Sequence, residues 1–298
     1  MDGASGDFAA FTFPRYREML DRPGEPRLAV GAWLDGKPAG LALALWEPDS
    51  PQVRLLSLMV DADARRRSIG TQLLQRCEEL AAATGSPRVA TYFSSILPCA
   101  DAFHATLAAA GWSAPKPLEL RCACQAGALG DAIAAWPAMR ARLAMEGGVA
   151  FKPWGERTPA EEGEVADLAA AEDCPSGLTP SRWHDDMEAE HSLLMLQSGR
   201  VVGWILARRE PSADPDPLAP PTLFVLAAYI RRELWRSGLL VLSYHFIVRQ
   251  HAERFGDAAE VRFSTSHDYP GMMALTRRRF APAALWVDEW LYAHKLLR

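Results

Sequence analysis

The sequence predicts an α/β (α+β) protein made of two related domains in tandem. Three observations carry that prediction. The chain has 298 residues, enough for two ordinary domains with cores of their own. Residues 53–80, VRLLSLMVDADARRRSIGTQLLQRCEEL, read as strand, tight loop and helix. The features of the first half then recur, in order, in the second.

Taken along the chain, FPRYREML (13–20) reads as a short helix that Arg22-Pro23-Gly24 ends. Arg27 to Leu34 and Ala39 to Trp46 are strand-like, and Asp35-Gly36 is a hairpin turn between them. The turn at Pro48, Asp49, Ser50 and Pro51 leads to the apolar run Leu55 to Val60, of a length that suits a buried strand. An irregular segment, Asp61 to Ala64, comes next, then Arg65, Arg66 and Arg67. The following helix places Leu73, Leu74, Cys77, Leu80 and Ala81 on one face. Beyond the break Thr84-Gly85-Ser86-Pro87 come a strand (88–94), a helix (100–110) closed by Gly111-Trp112, and a last strand (117–124). Residues 127–148 read as a helical connector, interrupted at Pro137 and closed by Gly147-Gly148. The domains are therefore expected at 1–126 and 149–298.

The arginines at 65–67 need a partner. A helix start already carries partial positive charge from its unpaired N–H groups. Three cations beside it raise the potential further, unless an anion such as a phosphate or pyrophosphate is cradled there.

The repeat is read by aligning the halves. Asp35-Gly36 through Glu47-Pro48 matches Ser198-Gly199 through Glu210-Pro211 at one offset (199 − 36 = 163). Val60 then pairs with Ile230, Ser68 with Gly238, and Phe93-Ser94 with Phe263-Ser264 at another (230 − 60 = 170). The difference falls in the Pro-rich segment 211–221, expected to be an exposed irregular loop between adjacent strands. The second half also opens with a strand, 149–153, and a helix starting at Thr158-Pro159, whereas the first half has no clear opening strand.

From Val60 the chain reads V-x-A-x-x-R-x-R-S-I-G, which resembles the acyl-CoA loop of the GNAT acyltransferase superfamily, V-x-P-x-x-(R/Q)-G-x-G-(I/L)-(G/A). Arg65, Ile69 and Gly70 match it; Ala62 stands for the proline, and Arg66 and Ser68 for two glycines. The resemblance implies two GNAT-like domains, each a mixed, mostly antiparallel sheet flanked by helices. It implies acetyl-CoA or another acyl-CoA as co-substrate, no metal, and an amine of a small molecule or peptide as acceptor. The cofactor would lie on Leu58, Met59, Val60, Arg65, Arg66, Arg67, Ser68, Ile69, Gly70 and Thr71. The family's oxyanion donor is a backbone N–H, which falls near Met59 and Val60. Its usual acid is a tyrosine on the helix after the fifth strand, here the helix 100–110. Counting from the helix start puts His104 there; counting back from Gly111-Trp112 puts Leu107 there. Glu47 is the candidate base acting through water, although Glu210 precedes the same proline in the second half. In the second loop Trp235 and Leu240 replace the Arg/Gln and closing glycine, so that half is expected to be degenerate. A tandem GNAT that binds acyl-CoA or a small ligand without turnover is the alternative to an enzyme.

Composition narrows the rest. A net charge of −5 gives no general basic character for nucleic acid. With no apolar run long enough for a membrane span and no signal-peptide pattern at the start, a cytoplasmic protein is expected. Five unevenly spaced cysteines suggest packed thiols rather than disulfides or zinc, with Cys122 and Cys124 on one face of a strand. The cluster Trp183 to His191 invites a metal reading, but is more economically a polar helix lip with Asp185 and Asp186 at its N-terminus.

Overall fold

A computed structural model describes residues 6–21, 26–46, 50–143, 148–212 and 219–297. After a 3₁₀ turn at Gly6–Phe11, the elements are α1 (Pro14–Asp21), β1 (Arg27–Leu34), β2 (Lys37–Trp46), β3 (Val53–Val60), α2 (Ile69–Ala83), β4 (Arg88–Ser94), α3 (Ala100–Ala109), β5 (Lys116–Gln125), α4 (Ala126–Ala134) and α5 (Pro137–Leu143). The chain continues with β6 (Val149–Pro153), α6 (Pro159–Ala169), β7 (Leu193–Gln197), β8 (Arg200–Glu210), β9 (Thr222–Ile230), α7 (Leu239–Phe255), β10 (Glu260–Ser266), α8 (Pro270–Leu275) and β11 (Ala284–Leu296).

The chain forms two compact units. Unit 1 comprises Met1–Leu118 together with Glu289–Arg298, and unit 2 is Glu119–Asp288. In unit 1 the strands run in the order β1-β2-β3-β4-β11. Neighbours are antiparallel except β3 and β4, which are parallel. Leu73, Leu74, Cys77 and Ala81 of α2 and Leu107 of α3 are buried against Val53, Leu55, Val89 and Phe93. The opposite face of β2 packs Leu41 and Leu43 against Phe8 and Leu20. Each leucine fully removed from water in this way contributes about 2 kcal/mol. A polar clasp fixes the last strand: Glu78 of α2 accepts from Trp112 Nε1 at 2.7 Å and from Lys295 Nζ at 2.5 Å.

Unit 2 carries the order β5-β10-β9-β8-β7-β6, with β9 and β10 parallel and the other neighbours antiparallel. One face is covered by α4, α5 and α7 through Leu129, Ile133, Met139, Leu242 and Val248. The other carries α6, whose Val165 and Leu168 pack near the buried Trp204. A capping box sets the start of α6: Thr158 and Glu161 exchange side-chain-to-backbone bonds. Cys77, Cys122, Cys124 and Cys174 are buried free thiols, and Cys99 is exposed. Burial pushes the Cys77 thiol up to about 12.

The strands of the two units repeat one another in detail. Left-handed pairs turn both hairpins: Asp35 (φ 51°) and Gly36 (φ 75°), then Ser198 (φ 52°) and Gly199 (φ 76°). An irregularity falls between Leu43 and Ala44 in one unit and between Leu206 and Ala207 in the other, at the offset read from the sequence (206 − 43 = 163). It reverses the alternation of the next strand. Val53 and Leu55 face α2, Leu56 faces the other way, and Leu58 and Val60 face α2 again. In β9 the same reversal puts Val225 on the α7 face, Ala227 and Tyr229 on the α6 face, and Ile230 back on the first. One alignment shifts: Leu55 lies level with Thr91 and Val225 with Phe263, so β10 stands two residues beyond the single offset (263 − 91 = 172). A two-residue slip leaves every side chain on its own face, so periodicity does not reveal it.

Two local expectations change. Residues 183–191 form no α-helix: Pro180–Trp183 is a 3₁₀ turn, and turns follow. The Glu188 N–H bonds instead to Ala207 O, while Asp186 and Glu188 pair with Arg208 and Arg209. The segment between β8 and β9 is outside any strand at 211–212 and 219–221, and its middle, 213–218, lies outside the described residues.

Candidate active site

The site is built where β3 and β4 part. Their parallel ladder pairs only Val53 with Val89, Arg54 with Ala90 and Leu55 with Thr91, although both strands continue. Thr91 Oγ1 closes the fork by donating to Leu55 O at 3.1 Å. Beyond it, the edge of β3 from Leu56 to Val60 that faces β4 has no ladder partner among the described residues. Free strand-edge N–H and C=O groups are docking points for an extended ligand. Leu58 and Val60 turn toward α2, and Met59 is exposed at 37%.

The loop after β3 supplies the second part. Asp61 accepts from the Asp63 N–H, and Arg65 Nε donates to Val60 O at 3.3 Å. Arg66 (φ 62°) and Ser68 (φ 59°) are both left-handed. These are the two positions at which the acyl-CoA loop pattern carries glycine, and the left-handed region is costly for other residues. The backbone thus holds the shape of the motif without its glycines. Helix α2 begins at Ile69 with no side-chain cap and no acid in its first turn, so its leading N–H groups and dipole are left to an outside anion. Arg65, Arg66, Arg67 and Ser68 are exposed around it, while Ile69, Gly70 and Thr71 are half-buried. A Cβ on Gly70 would stand 3.6 Å from both Thr106 Cγ2 and Val60 Cγ2, so only a longer side chain would fill the opening. Donor groups, charge and space fit a pyrophosphate-bearing ligand.

The structure brings the loop residues together with Leu58, Met59 and Val60. His104 lies on the exposed side of α3, where Phe103 packs on Phe93 and Leu107 is buried. Thr106 is the α3 residue over Gly70. Glu47 lies outside the described residues.

Sequence reasoning missed a row of rings on the face of unit 1 away from α2. Tyr92, the first β4 residue beyond the fork, is paired across the strands with Tyr292, ring centroids 5.2 Å apart. Tyr292 stacks on His294 at 5.4 Å. Burial raises the Tyr292 phenol above its usual range. The residues stand too far apart in the chain for a local motif; only the alternation of strand 88–94 hinted at a shared face.

The corresponding loop of unit 2 is closed. Gly238 (φ 79°) begins α7, but the place of its Cβ is filled by Met139 Cε at 2.6 Å, with Arg142 Nε at 3.6 Å. Helix α5 therefore sits over the N-terminus of α7. Ser237 Oγ already accepts from the Leu239 N–H, and Arg236 is not left-handed. Among the described residues no group of three or more His, Cys, Asp and Glu is placed to hold a metal ion. No helix there is long and apolar enough to cross a membrane.

Two units of one α/β plan, each with a forked parallel pair beside a loop-and-helix start, make up the chain. Residues 4–98 match the model of the acetyltransferase (GNAT) family. Over its whole length the chain has the fold of a tandem GNAT protein from the clavulanic acid biosynthesis pathway, with TM-score 0.60, 16% identity, and coverage of 100% of this chain and 96% of that one. A GCN5-related glucosamine N-acetyltransferase region of a fungal multi-domain β-N-acetylglucosaminidase aligns at TM-score 0.60 and 13% identity, over 98% of this chain and 37% of that one. A GCN5-related N-acetyltransferase from Sphaerobacter thermophilus aligns at TM-score 0.54 and 19% identity, over 94% and 85%. Among curated proteins none matches the sequence.

Proposed function

We propose that the protein is an N-acyltransferase, in the first instance an N-acetyltransferase, that transfers an acyl group from acyl-CoA to an amine of a small molecule or peptide. The observation that carries this reading is the loop of unit 1. Its two left-handed residues, Arg66 and Ser68, lead into an uncapped helix beside the unpaired edge of β3. The family match at 4–98 supports it.

In this reading the backbone at Ser68 to Thr71 and the side chains of Arg65, Arg66 and Arg67 hold the pyrophosphate. The β3 edge at Leu58, Met59 and Val60 aligns the pantetheine arm and offers a backbone N–H to the thioester carbonyl. Acyl-CoA, when bound, supplies an activated carbonyl. The ammonium gives one proton to a base, the C–N bond forms as the C–S bond breaks, and the second proton lost from nitrogen balances the one the thiolate takes. Fixed backbone dipoles and positioning perform most of this work, because an amine attacks a thioester without a covalent enzyme intermediate. Glu47 as base and His104 as acid complete the proposal. Unit 2, its loop filled by Met139, serves as a degenerate partner.

A free-thiol release assay with acetyl-CoA against a panel of amines tests the enzyme reading, beside calorimetric titration of CoA. Thiol release dependent on an amine is expected. CoA binding with no release for any amine would favour the second reading, an acyl-CoA binding protein; the lack of any acidic residue on β3 is the observation on its side.

A further inference from the structure

We infer that the amine acceptor carries an aromatic or flat apolar group, which unit 1 receives on the row of rings formed by Tyr92, Tyr292 and His294. The inference rests on the acyltransferase reading of unit 1 and narrows its substrate. The α2 face of the fork is filled by the core around Leu55, Leu73 and Phe93. A ligand whose phosphates rest at the start of α2, and whose arm lies along the β3 edge, therefore presents its reacting end to the opposite face. There the β4 side of the fork is aromatic. Tyr92 is the first residue past the last ladder pair, Tyr292 lies directly across from it, and Trp290 lies across from Ser94. Strand alternation puts Trp290, Tyr292 and His294 on this face, and puts Leu291 and Ala293 on the other with the α2 core.

The rings are held at their polar edges. Gln52 Nε2 donates to Tyr92 Oη at 3.1 Å. His294 Nδ1 lies 3.2 Å from Ser113 Oγ, and its backbone N–H donates to the same oxygen at 3.0 Å. Tyr92 and Tyr292 meet at 45°, and Tyr292 and His294 at 18°. All three remain half-buried rather than sealed. Ordered, partly open rings give an incoming aryl group an offset-stacking surface at little entropic cost, and their faces also attract an ammonium. The described part of β4 carries no acid, and neither do residues 290–297 of the last strand.

The test uses the full chain. Titration of 2-phenylethylamine and tryptamine into the CoA-loaded protein is compared with hexylamine, spermidine and kanamycin, beside thiol release from acetyl-CoA for the same five. The aryl amines are expected to bind tightest and to show kcat/KM at least about tenfold above the polycations. Tyr292→Leu should raise KM for the aryl amines by about fivefold while sparing hexylamine, and Tyr292→Phe should restore wild-type values. A preference for spermidine or kanamycin, no aryl-amine binding, or an equal effect of Tyr292→Leu on every amine would overturn the inference. Turnover of hexylamine or spermidine alone would leave the acyltransferase reading standing and remove only this one. Failure of CoA itself to bind would remove the acyltransferase reading, and the aryl amine titration would still show whether the rings form a site.

Discussion

Trp235 stands in unit 2 where Arg65 stands in unit 1 (235 − 65 = 170), and both make the same bond. Arg65 Nε donates to Val60 O at 3.3 Å, and Trp235 Nε1 donates to Ile230 O at 3.0 Å. A side-chain N–H pinning the last strand carbonyl is thus kept as a structural device in both halves. What unit 2 lacks is a cation at this position. Calorimetric titration of CoA should therefore report one site per chain. Arg65→Ala or Arg67→Ala should weaken it by about 1 kcal/mol each, or roughly fivefold. Gly70→Leu should abolish binding while Gly70→Ala folds, because a lone Cβ there meets only ordinary contacts at 3.6 Å. Leu240→Phe should leave affinity unchanged; loss there instead would place the working site in unit 2.

The glycines of the central hairpins offer a graded test. A Cβ on Gly203 would stand 2.3 Å from Tyr229 O and 2.9 Å from Ile230 Cα, while one on Gly40 would stand 2.8 Å from Met59 O. Both neighbours are backbone and have little room to yield. Gly203→Ala should cost about 2–3 kcal/mol and Gly40→Ala about 1–2 kcal/mol. Urea unfolding of the two variants would show whether that order holds.

Glu78 joins three elements of unit 1, accepting from Trp112 Nε1 and Lys295 Nζ while the same ammonium donates to Ala110 O at 2.7 Å. Its side chain is 9% exposed, so its removal strands an indole N–H and an ammonium in a half-dry site. Glu78→Ala should destabilise the protein by about 2–3 kcal/mol. Lys295→Met, which keeps the aliphatic stem, should cost less. Thermal unfolding of both variants decides between a clasp and an ornament.

His191 and His251 are 5% and 3% exposed. Burial, then the nearby Arg209, holds the His191 imidazolium form down; burial also pushes His251 to about 4. His251 Nε2 sits 3.1 Å from Pro221 O, Arg209 binds Glu188, and Arg254 faces Glu190. A base whose folded pKa is depressed makes stability full above about pH 6.5, and lets it fall as pH drops toward about 4. The urea midpoint should therefore decline between pH 7 and pH 5, where most carboxylates keep their charge. His251→Gln should flatten that decline by on the order of 2 kcal/mol; an unchanged slope would assign it elsewhere.

Much of this architecture was legible because it rests on local chemistry. Asp35-Gly36 and Ser198-Gly199 announce their turns, Thr158-Pro159 announces a helix start, and the run from Val53 announces a strand. The loop at 65–70 was readable through Arg65, Ile69 and Gly70, and the backbone then took left-handed conformations at Arg66 and Ser68 that no residue type demanded. Three kinds of feature were out of reach. The reversal at Leu56 is a backbone event with no residue signature. The plug of Met139 on Gly238 joins segments that composition presents as a mere connector. The pairing of Tyr92 with Tyr292 is made by the fold from residues distant in the chain. His104 illustrates the converse: counting along a helix fixes a face only to within a residue or two, and here that margin separates the exposed side from Thr106 over the loop.

Unit 1 takes in Glu289–Arg298, and with them the partner strand of β4 and the lysine that clasps Glu78. This bears on how the molecule is made. A ribosome delivers residues in order, and domains commonly condense as soon as they emerge. Here the first-synthesised unit must wait, its β4 edge and the Glu78 carboxylate without their partners, until residues 290–295 have been added. Newborn chains would spend that interval open to chaperones and to mispairing. A premature stop after Asp288, partway along β11, would injure the unit that was made first.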